Sequence, residues 1–432
     1  MSSIWEKATH KTHFDALSGN KYVDTLVIGG GIAGILCAYK LKNAGIDCIL
    51  VEADEILGGI TKNTTAKISV AHGLIYDKMI KRFGKDSAKL YLDAQIKACM
   101  EYERLCASVD CDYEKKDSYV YSVDDKAKVK KEITALKMLG IDARLDSAEA
   151  LPFTVAGAVR IKNEAQFHPL KFLYAISKNL PIYENTKVVE IMPKRAVTKN
   201  GEICFKKVIF ATHFPIINKH GAFFLKMYQH RSYVIALKNA KDVGGMYVDE
   251  ANTGMSFRNY QGLLLLGGGG HRTGKSGGCW QELERFANIH YPSAEIVSKW
   301  ATQDCMTLDD VPYIGKYSKN TPNMYVVTGF NKWGMTSSMV AADILTDLVL
   351  GKDNRYAKVF SPSRSILRPQ LAVNAFETVV NLLTPTAPRC PHLGCALKYN
   401  SAEHSWDCPC HGSRFTKDGE LIDNPATDDK RM

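Results

Sequence analysis

Long apolar runs are missing from this sequence; the longest unbroken aliphatic stretch is Leu263 to Leu266. A membrane helix needs roughly 20 apolar residues, so none is expected. The opening segment Ser2-Ser3-Ile4-Trp5-Glu6-Lys7 is too polar for a secretion signal, and a cytoplasmic protein is expected. Basic blocks are missing as well. Lys and Arg are scattered although the net charge is +10, which argues against a nucleic-acid partner and for a solvated basic surface. With 45% hydrophobic and 24% charged residues, the composition excludes extensive disorder. The 432 residues suffice for two or three cores at ~150 residues per domain.

Glycine is placed with purpose near the start. Leu26-Val27-Ile28 reads as a buried strand, Ile32 to Lys42 has helical apolar spacing, and Cys48 to Val51 forms a second strand ending on Glu52. Between strand and helix, Gly29, Gly31 and Gly34 make GxGxxG. The first allows a tight turn, the second a close approach of backbone to a pyrophosphate, and the third helix–strand packing. Free N–H groups at the helix start would hold that anion, and Glu52 is placed to accept hydrogen bonds from a ribose. This is a dinucleotide site; the unit alone leaves open which dinucleotide.

Of twelve cysteines, eight are spread singly from Cys37 to Cys305, and four crowd the C-terminal end. There the chain reads Cys390-Pro-His392-Leu-Gly394-Cys395 and Cys408-Pro-Cys410-His411-Gly412-Ser413. Such clustering points to metal or redox chemistry. Two thiolates and two imidazoles suit a tetrahedral zinc site. They equally suit a [2Fe–2S] cluster with both thiolates on one iron and both imidazoles on the other, and two near-mirror loops each carrying one Cys and one His favour that arrangement. Gly394 and Gly412 also favour it, allowing tight loops that bring backbone N–H groups near the sulfides.

These motifs resemble known families. Glu52-Ala53-Asp54-Glu55-Ile56-Leu57-Gly58-Gly59, Gln166-Phe167-His168-Pro169, Lys187-Val188-Val189-Glu190-Ile191, Val208 to His213, and Tyr325 to Thr336 resemble the D-amino-acid oxidase superfamily. The C-terminal loops resemble Rieske cluster loops. The whole order, with Thr64 to Ser69 and His72 to Tyr76, resembles bacterial FAD-dependent oxidoreductases fused to a Rieske [2Fe–2S] domain. The resemblance implies FAD held by Gly29, Gly31, Ile32, Ala33, Gly34, Glu52, Ala53 and Gly59. Thr64, Thr65, Val188, Ala211, Thr212, Gly329, Gly334, Met335 and Thr336 would line the rest of that site. It implies cluster ligands Cys390, His392, Cys408 and His411, and a disulfide between Cys395 and Cys410. Ser413 matches a serine that bonds a bridging sulfide, whereas Phe415 stands where high-potential members carry tyrosine. The segment is also short for a Rieske domain, so either the flavin domain or a partner subunit must cover the cluster.

The implied fold is α/β: a doubly wound, Rossmann-type FAD domain interleaved with a mixed α/β substrate domain, followed by a small β-rich cluster segment. Boundaries are expected at 1–360 for the oxidoreductase domain, with insertions at about 78–145 and 216–295. A linker over 361–385 and a cluster segment over 386–432 complete the chain, and Lys78 to Leu139 is expected to be a helical cap. Lys67 is the catalytic candidate, steadying flavin or polarising substrate, with a salt bridge as the plain alternative. His72 and His168 are expected to be structural, and Arg258 and Arg272 are candidates to pair with a substrate carboxylate. The expected activity is oxidation of an amine or amino acid, a small-molecule substrate, coupled to one-electron transfer toward an acidic protein. The reverse electron flow, reducing an unsaturated substrate, is the alternative enzyme. A redox sensor without turnover is the alternative of another class, which substrate-dependent flavin bleaching would exclude.

Overall fold

The computed structural model describes residues 2–7, 9–217, 220–251, 254–385 and 388–429. The chain folds around three sheets. The first is the nucleotide-binding sheet, with Lys21–Ile28 flanked in parallel by Cys48–Val51 and Gly201–Phe210. Met324–Thr328 extends it in parallel, and Tyr313–Lys316 closes that edge antiparallel. The helices Ile32–Asn43 and Gly334–Val349 pack on each other against it; their buried faces are mostly apolar, with Thr336, Ser337 and Ser338 buried at the start of the second. Gly45, at φ 76°, turns the chain out of the first helix as its position predicts.

A nine-stranded mixed sheet faces the first. From one edge it runs Glu295–Thr307, Met227–Lys238, Leu263–Arg272, Ser256–Tyr260 and Met246–Asp249. Two expectations change here. The presumed helical cap does contain the helices Tyr76–Phe83, Lys85–Cys106 and Lys126–Met138, but Glu114–Ser122 between them is a strand of this sheet. Its inner half, Ser118-Tyr119-Val120-Tyr121-Ser122, is buried, and β-forming aromatic and branched residues there outweigh the flanking lysines. The expected linker is likewise structured: Pro369–Leu383 is a helix, with proline in its first turn. That helix turns Asn374 and Asn381 inward and leaves Phe376 and Leu383 exposed.

The third sheet is a four-stranded antiparallel meander of Lys398–Asn400, Ser405–Asp407, Arg414–Thr416 and Leu421–Asp423. Its own core is very small: four cysteines, Leu397, Phe415 and Ala426. A core of that size cannot hold a domain without covalent or metal links and a surface to lean on. The surface is the second sheet. Arg231, on Met227–Lys238, pairs with Glu403, which also takes Arg414 at 2.8 Å; Arg414 further reaches Asp407 at 3.0 Å and Asp423 at 2.9 Å. The flavin-side sheet therefore supplies the cover that the short segment lacks.

This buried ion cluster has a calculable pH dependence. Burial by itself pushes the Glu403 carboxyl up, but the Arg231 and Arg414 guanidinium groups outweigh it and hold the group below the usual carboxylate range. A depressed acid stabilises the fold above its unfolded pKa, about 4.3, and that contribution is lost as pH falls through the lower folded value. Glu403→Gln takes from buried Arg231 its close carboxylate and from Arg414 one of three, and should destabilise the segment by about 3 kcal/mol at neutral pH. Thermal unfolding of wild type and variant, compared from pH 7 downward, should show the gap closing below about pH 4. A gap that persists unchanged in acid would show that Glu403 is not the titrating partner.

Candidate functional site

One large cavity, about 1040 Å³, opens between the two main sheets. Gly29, Gly31, Ile32 and Ala33 line one end with Glu52, Ala53 and Gly59; Val188, Ala211 and Thr212 lie beside them. Thr64, Thr65 and Lys67 line the other end, facing Gly329, Gly334 and Met335. Two expected residues are elsewhere. Gly34 lies behind the wall, where an added Cβ would stand 1.8 Å from the Gly29 carbonyl oxygen, so it serves helix–strand packing. Thr336 is buried with its hydroxyl 2.9 Å from His72 Nε2 and does not line the cavity.

The glycine turn is built as a phosphate cradle. Gly29 sits at φ 109° with Ala211 O against its α-carbon, a place no side chain fits. Gly31 is different: a Cβ there would meet nothing nearer than Thr61 Oγ1 at 3.4 Å, so its open side is the cavity itself. The Glu52 carboxylate accepts from Gly30 N at 2.6 Å and Asp54 N at 3.1 Å, while burial pushes its pKa up. That bond fixes the acid at the strand end where a ribose would reach it.

At the far end, burial and then the charge of Arg258 bring the Lys67 amine down to about 7, and Nζ donates to Thr65 Oγ1 at 3.0 Å. The salt-bridge alternative fails, since no carboxylate pairs with Lys67 among the described residues. His72 stacks on Trp333 at 4.8 Å and bonds Tyr91 Oη at 2.7 Å; burial lowers it to about 3, and it is a neutral support. His168 caps the helix Pro169–Ser177 by accepting from Lys171 N. Both roles are the structural ones the sequence suggested.

The two arginine candidates are corrected. Arg258 is fully buried and donates to Thr65 O at 2.6 Å and Ala66 O at 2.8 Å, holding the Lys67 loop from behind. Arg272 donates to Pro409 O at 3.1 Å and Cys410 O at 3.2 Å, binding the cluster segment. Neither lines the cavity, and its described lining contains no arginine. Sequence reading also missed cavity residues. Asp304 and Lys332 both line it, as does His213 in the turn after Gly201–Phe210. So do Leu421 to Asn424, Ala426 and Thr427, from the C-terminal segment. None of these was singled out, although His213 ends the Val208 to His213 stretch and Lys332 lies within Tyr325 to Thr336, both likened above to the D-amino-acid oxidase superfamily.

The cluster loops are paired turns. Gly394 N donates to Cys390 O and Gly412 N to Cys408 O, both at 2.9 Å, with the glycines at φ 78° and 89°. The rings of His392 and His411 meet edge-on, with 5.1 Å between centroids. Cys395 and Cys410 form a disulfide with 6.7 Å between α-carbons. Both cysteines stand near Cys408 but are thus spoken for, leaving Cys390 and Cys408 as free thiols with the two histidines. His411 Nδ1 is buried with no hydrogen-bond partner, a costly state unless a metal takes the lone pair. The hydrogen bond from Cys408, opposed by burial, brings the Cys390 thiol down to about 7. The donor set fits an iron–sulfur cluster.

Ser413 and Phe415 both face this core. Ser413 Oγ accepts from Ala426 N at 3.0 Å and its hydroxyl reaches Cys390, while Phe415 is fully buried among the cysteines. Hydrogen bonds to cluster sulfurs stabilise the reduced, more negative form and raise the potential. Phe415→Tyr should therefore raise the midpoint and Ser413→Ala lower it, by tens of millivolts, given about 59 mV per 1.4 kcal/mol. A redox titration of the three proteins at one pH tests this; an unchanged midpoint in Phe415→Tyr would place that side chain away from the sulfurs.

Comparison with known proteins agrees. The family model for FAD dependent oxidoreductase matches residues 24–348, and that for Rieske [2Fe-2S] domain matches residues 376–431. The Rieske 2Fe-2S iron-sulfur protein YhfW of Bacillus subtilis (strain 168) is 34% identical, covering 98% of this chain and 96% of its own. Among solved structures, L-proline dehydrogenase from P.horikoshii superposes with TM-score 0.68 at 17% identity, covering 81% of this chain and 98% of that one. Glycine oxidase from Geobacillus kaustophilus gives 0.67 at 18%, covering 80% and 99%. At these identities the likeness is one of fold, over about four fifths of this chain. FAD and a [2Fe–2S] cluster are the cofactors, and no helix among the described residues could cross a membrane. The chain belongs to the FAD dependent oxidoreductase family and carries a Rieske [2Fe-2S] domain at its C-terminal end.

Proposed function

We propose that this enzyme oxidises a small amine or amino acid at the flavin and sends the electrons singly through the Rieske cluster to an acceptor protein. One observation carries the coupling. Gln303 Nε2 donates to Gly412 O in the second cluster loop at 2.9 Å, while its strand neighbours Thr302 and Asp304 line the cavity. At the flavin end, Asn331 N donates to Cys305 O on the same strand at 3.0 Å. A single strand thus separates the cavity from the cluster loop. Bound FAD supplies a two-electron acceptor, and the cluster a one-electron relay. Cys390, His392, Cys408 and His411 are the proposed ligands.

The amine class rests on the fold relatives and on the cavity wall. L-proline dehydrogenase and glycine oxidase are named for amino-acid substrates. Lys67, with an amine near 7, is neutral above that pH and can take the proton a substrate ammonium must lose before its C–H bond is oxidised. Lys67→Met should lower kcat/KM about 100-fold and abolish a rise in rate through pH 7. The +10 charge favours an acidic electron-transfer partner, and a cytoplasmic location fits the chemistry proposed.

The test is an anaerobic titration with amines and amino acids, following flavin absorbance and cluster EPR together. A substrate should bleach the flavin and then bring up the reduced-cluster signal. Flavin that bleaches while the cluster stays oxidised would sink the coupling, and a panel that never bleaches it would sink the substrate class.

A further inference from the structure

We infer that the last strand of the Rieske segment and the turn after it, Leu421 to Thr427, are part of the FAD-binding site. They wall the ADP half of the cofactor, so that FAD binding and docking of the cluster segment reinforce one another. These residues lie outside the stretch that matches the FAD dependent oxidoreductase family and within the Rieske match.

The path of the segment along the cavity fixes which half it meets. Asn424 Nδ2 donates to Thr212 O at 2.5 Å and to Phe214 O at 3.3 Å. Thr212 follows Ala211, whose carbonyl packs on Gly29 at the start of the phosphate cradle. Farther on, Lys187 Nζ donates to Thr427 O at 2.6 Å. Lys187 adjoins Thr186, whose N donates to Glu52 O at 2.8 Å, behind the ribose acid. The segment therefore runs from the pyrophosphate turn to the adenosine end. Ile422, two residues before the first anchor, also lines the cavity and leaves 46% of its surface uncovered, an apolar patch on the same wall.

The anchors are held from outside the cavity as well. Gln229 does not line the cavity; its Oε1 lies 2.9 Å from His213 Nε2 and its Nε2 donates to Asn424 O at 2.9 Å. Gly412 of the second cluster loop packs so closely on Gln229 that an added Cβ would stand 2.5 Å from its Cβ. Gln229 is thus a positioning residue joining cluster loop, cofactor wall and flavin-side turn. By linkage, whatever FAD gains from a docked segment, docking gains from FAD. This rests on FAD occupying the cavity and is independent of substrate and of electron direction.

Two measurements on the full chain test it. Apoprotein made under riboflavin limitation is refilled with FAD, and the dissociation constant is compared for wild type, Asn424→Ala and Gln229→Met. Each variant should bind FAD about tenfold more weakly, the effect of one or two lost hydrogen bonds. Gln229→Met is decisive because Gln229 itself contributes no surface to the cavity and acts only by holding Asn424 and His213 from behind. The second measurement needs no variant: amide exchange across Leu421 to Thr427 should slow about tenfold when wild-type apoprotein takes up FAD, with the cluster present throughout. FAD affinities within twofold of wild type in both variants, or equal exchange rates with and without FAD, would overturn the inference. Neither outcome bears on whether an amine reduces the flavin.

Discussion

Gly31→Val protein is expected to fold, to retain iron and labile sulfide, and to contain no FAD. The argument lies in where the new side chain would go. Gly31 has φ −76° and ψ −178°, a conformation any residue adopts, so valine brings no backbone strain. Its Cβ would meet only Thr61 Oγ1 at 3.4 Å, an ordinary contact. The branched methyls would then project into the cavity at the start of the helix Ile32–Asn43, where the N–H groups would otherwise meet the pyrophosphate. The neighbouring glycines behave otherwise. Gly34→Val would drive its Cβ into Gly29 O and should give insoluble protein, not a soluble apoprotein. Flavin released per chain, with solubility and cluster spectrum measured on the same samples, separates the two cases. Full flavin content in soluble Gly31→Val would mean that the pyrophosphate lies elsewhere.

That contrast marks what the sequence could say. GxGxxG and the two cluster loops were legible because their chemistry is contiguous: a few neighbouring residues set a turn, and the turn sets the site. The same holds for Gly45 as a helix stop and for His168 as a structural residue before Pro169, though its part as a helix cap came only with the structure. Contacts made through space left no such mark. Arg258 and Arg272 looked like cations available to a substrate carboxylate, yet one is spent on the carbonyls of Thr65 and Ala66 and the other on Pro409 and Cys410. Their partners lie more than a hundred residues away, where no periodicity reaches.

Secondary structure failed where local and global preferences conflict. Glu114–Ser122 begins with charged residues between two lysine-rich helices, so a helical cap was the natural reading. Its pairing with both Gly157–Gln166 and Met246–Asp249 makes it a central strand. The helix Pro369–Leu383 was read as linker because its apolar residues face outward and its buried ones are asparagines, the reverse of an ordinary core helix. The cavity wall from Leu421 to Thr427 was hidden for another reason. Its strand looks complete as the end of the cluster segment, and only the docking through Arg231, Gln229 and Lys187 turns it toward the flavin side.

His411→Ala is expected to abolish the EPR signal of the reduced cluster while leaving FAD bound. The His411 ring is buried against Phe224 at 6.1 Å between centroids, and its Nδ1 has no partner. Burial also lowers its pKa to about 3, so the imidazole is neutral and able to offer a lone pair at any working pH. Alanine removes one of four ligands and opens a void beside the other histidine, and a two-iron site does not survive that loss. FAD should persist, because no cavity-lining group belongs to His411. The disulfide offers the counter-case. Replacing Cys395 and Cys410 with serine removes a link between residues 15 apart, which should destabilise the segment by about 3 kcal/mol on chain-entropy grounds. The cluster ligands would remain, so the signal should survive at low temperature while thermal stability drops. Iron, labile sulfide and zinc are measured together with EPR on anaerobically prepared wild type and both variants. Stoichiometric zinc without labile sulfide in the wild type would end the assignment of these residues to iron, and a full signal in His411→Ala would remove that histidine from the ligand set.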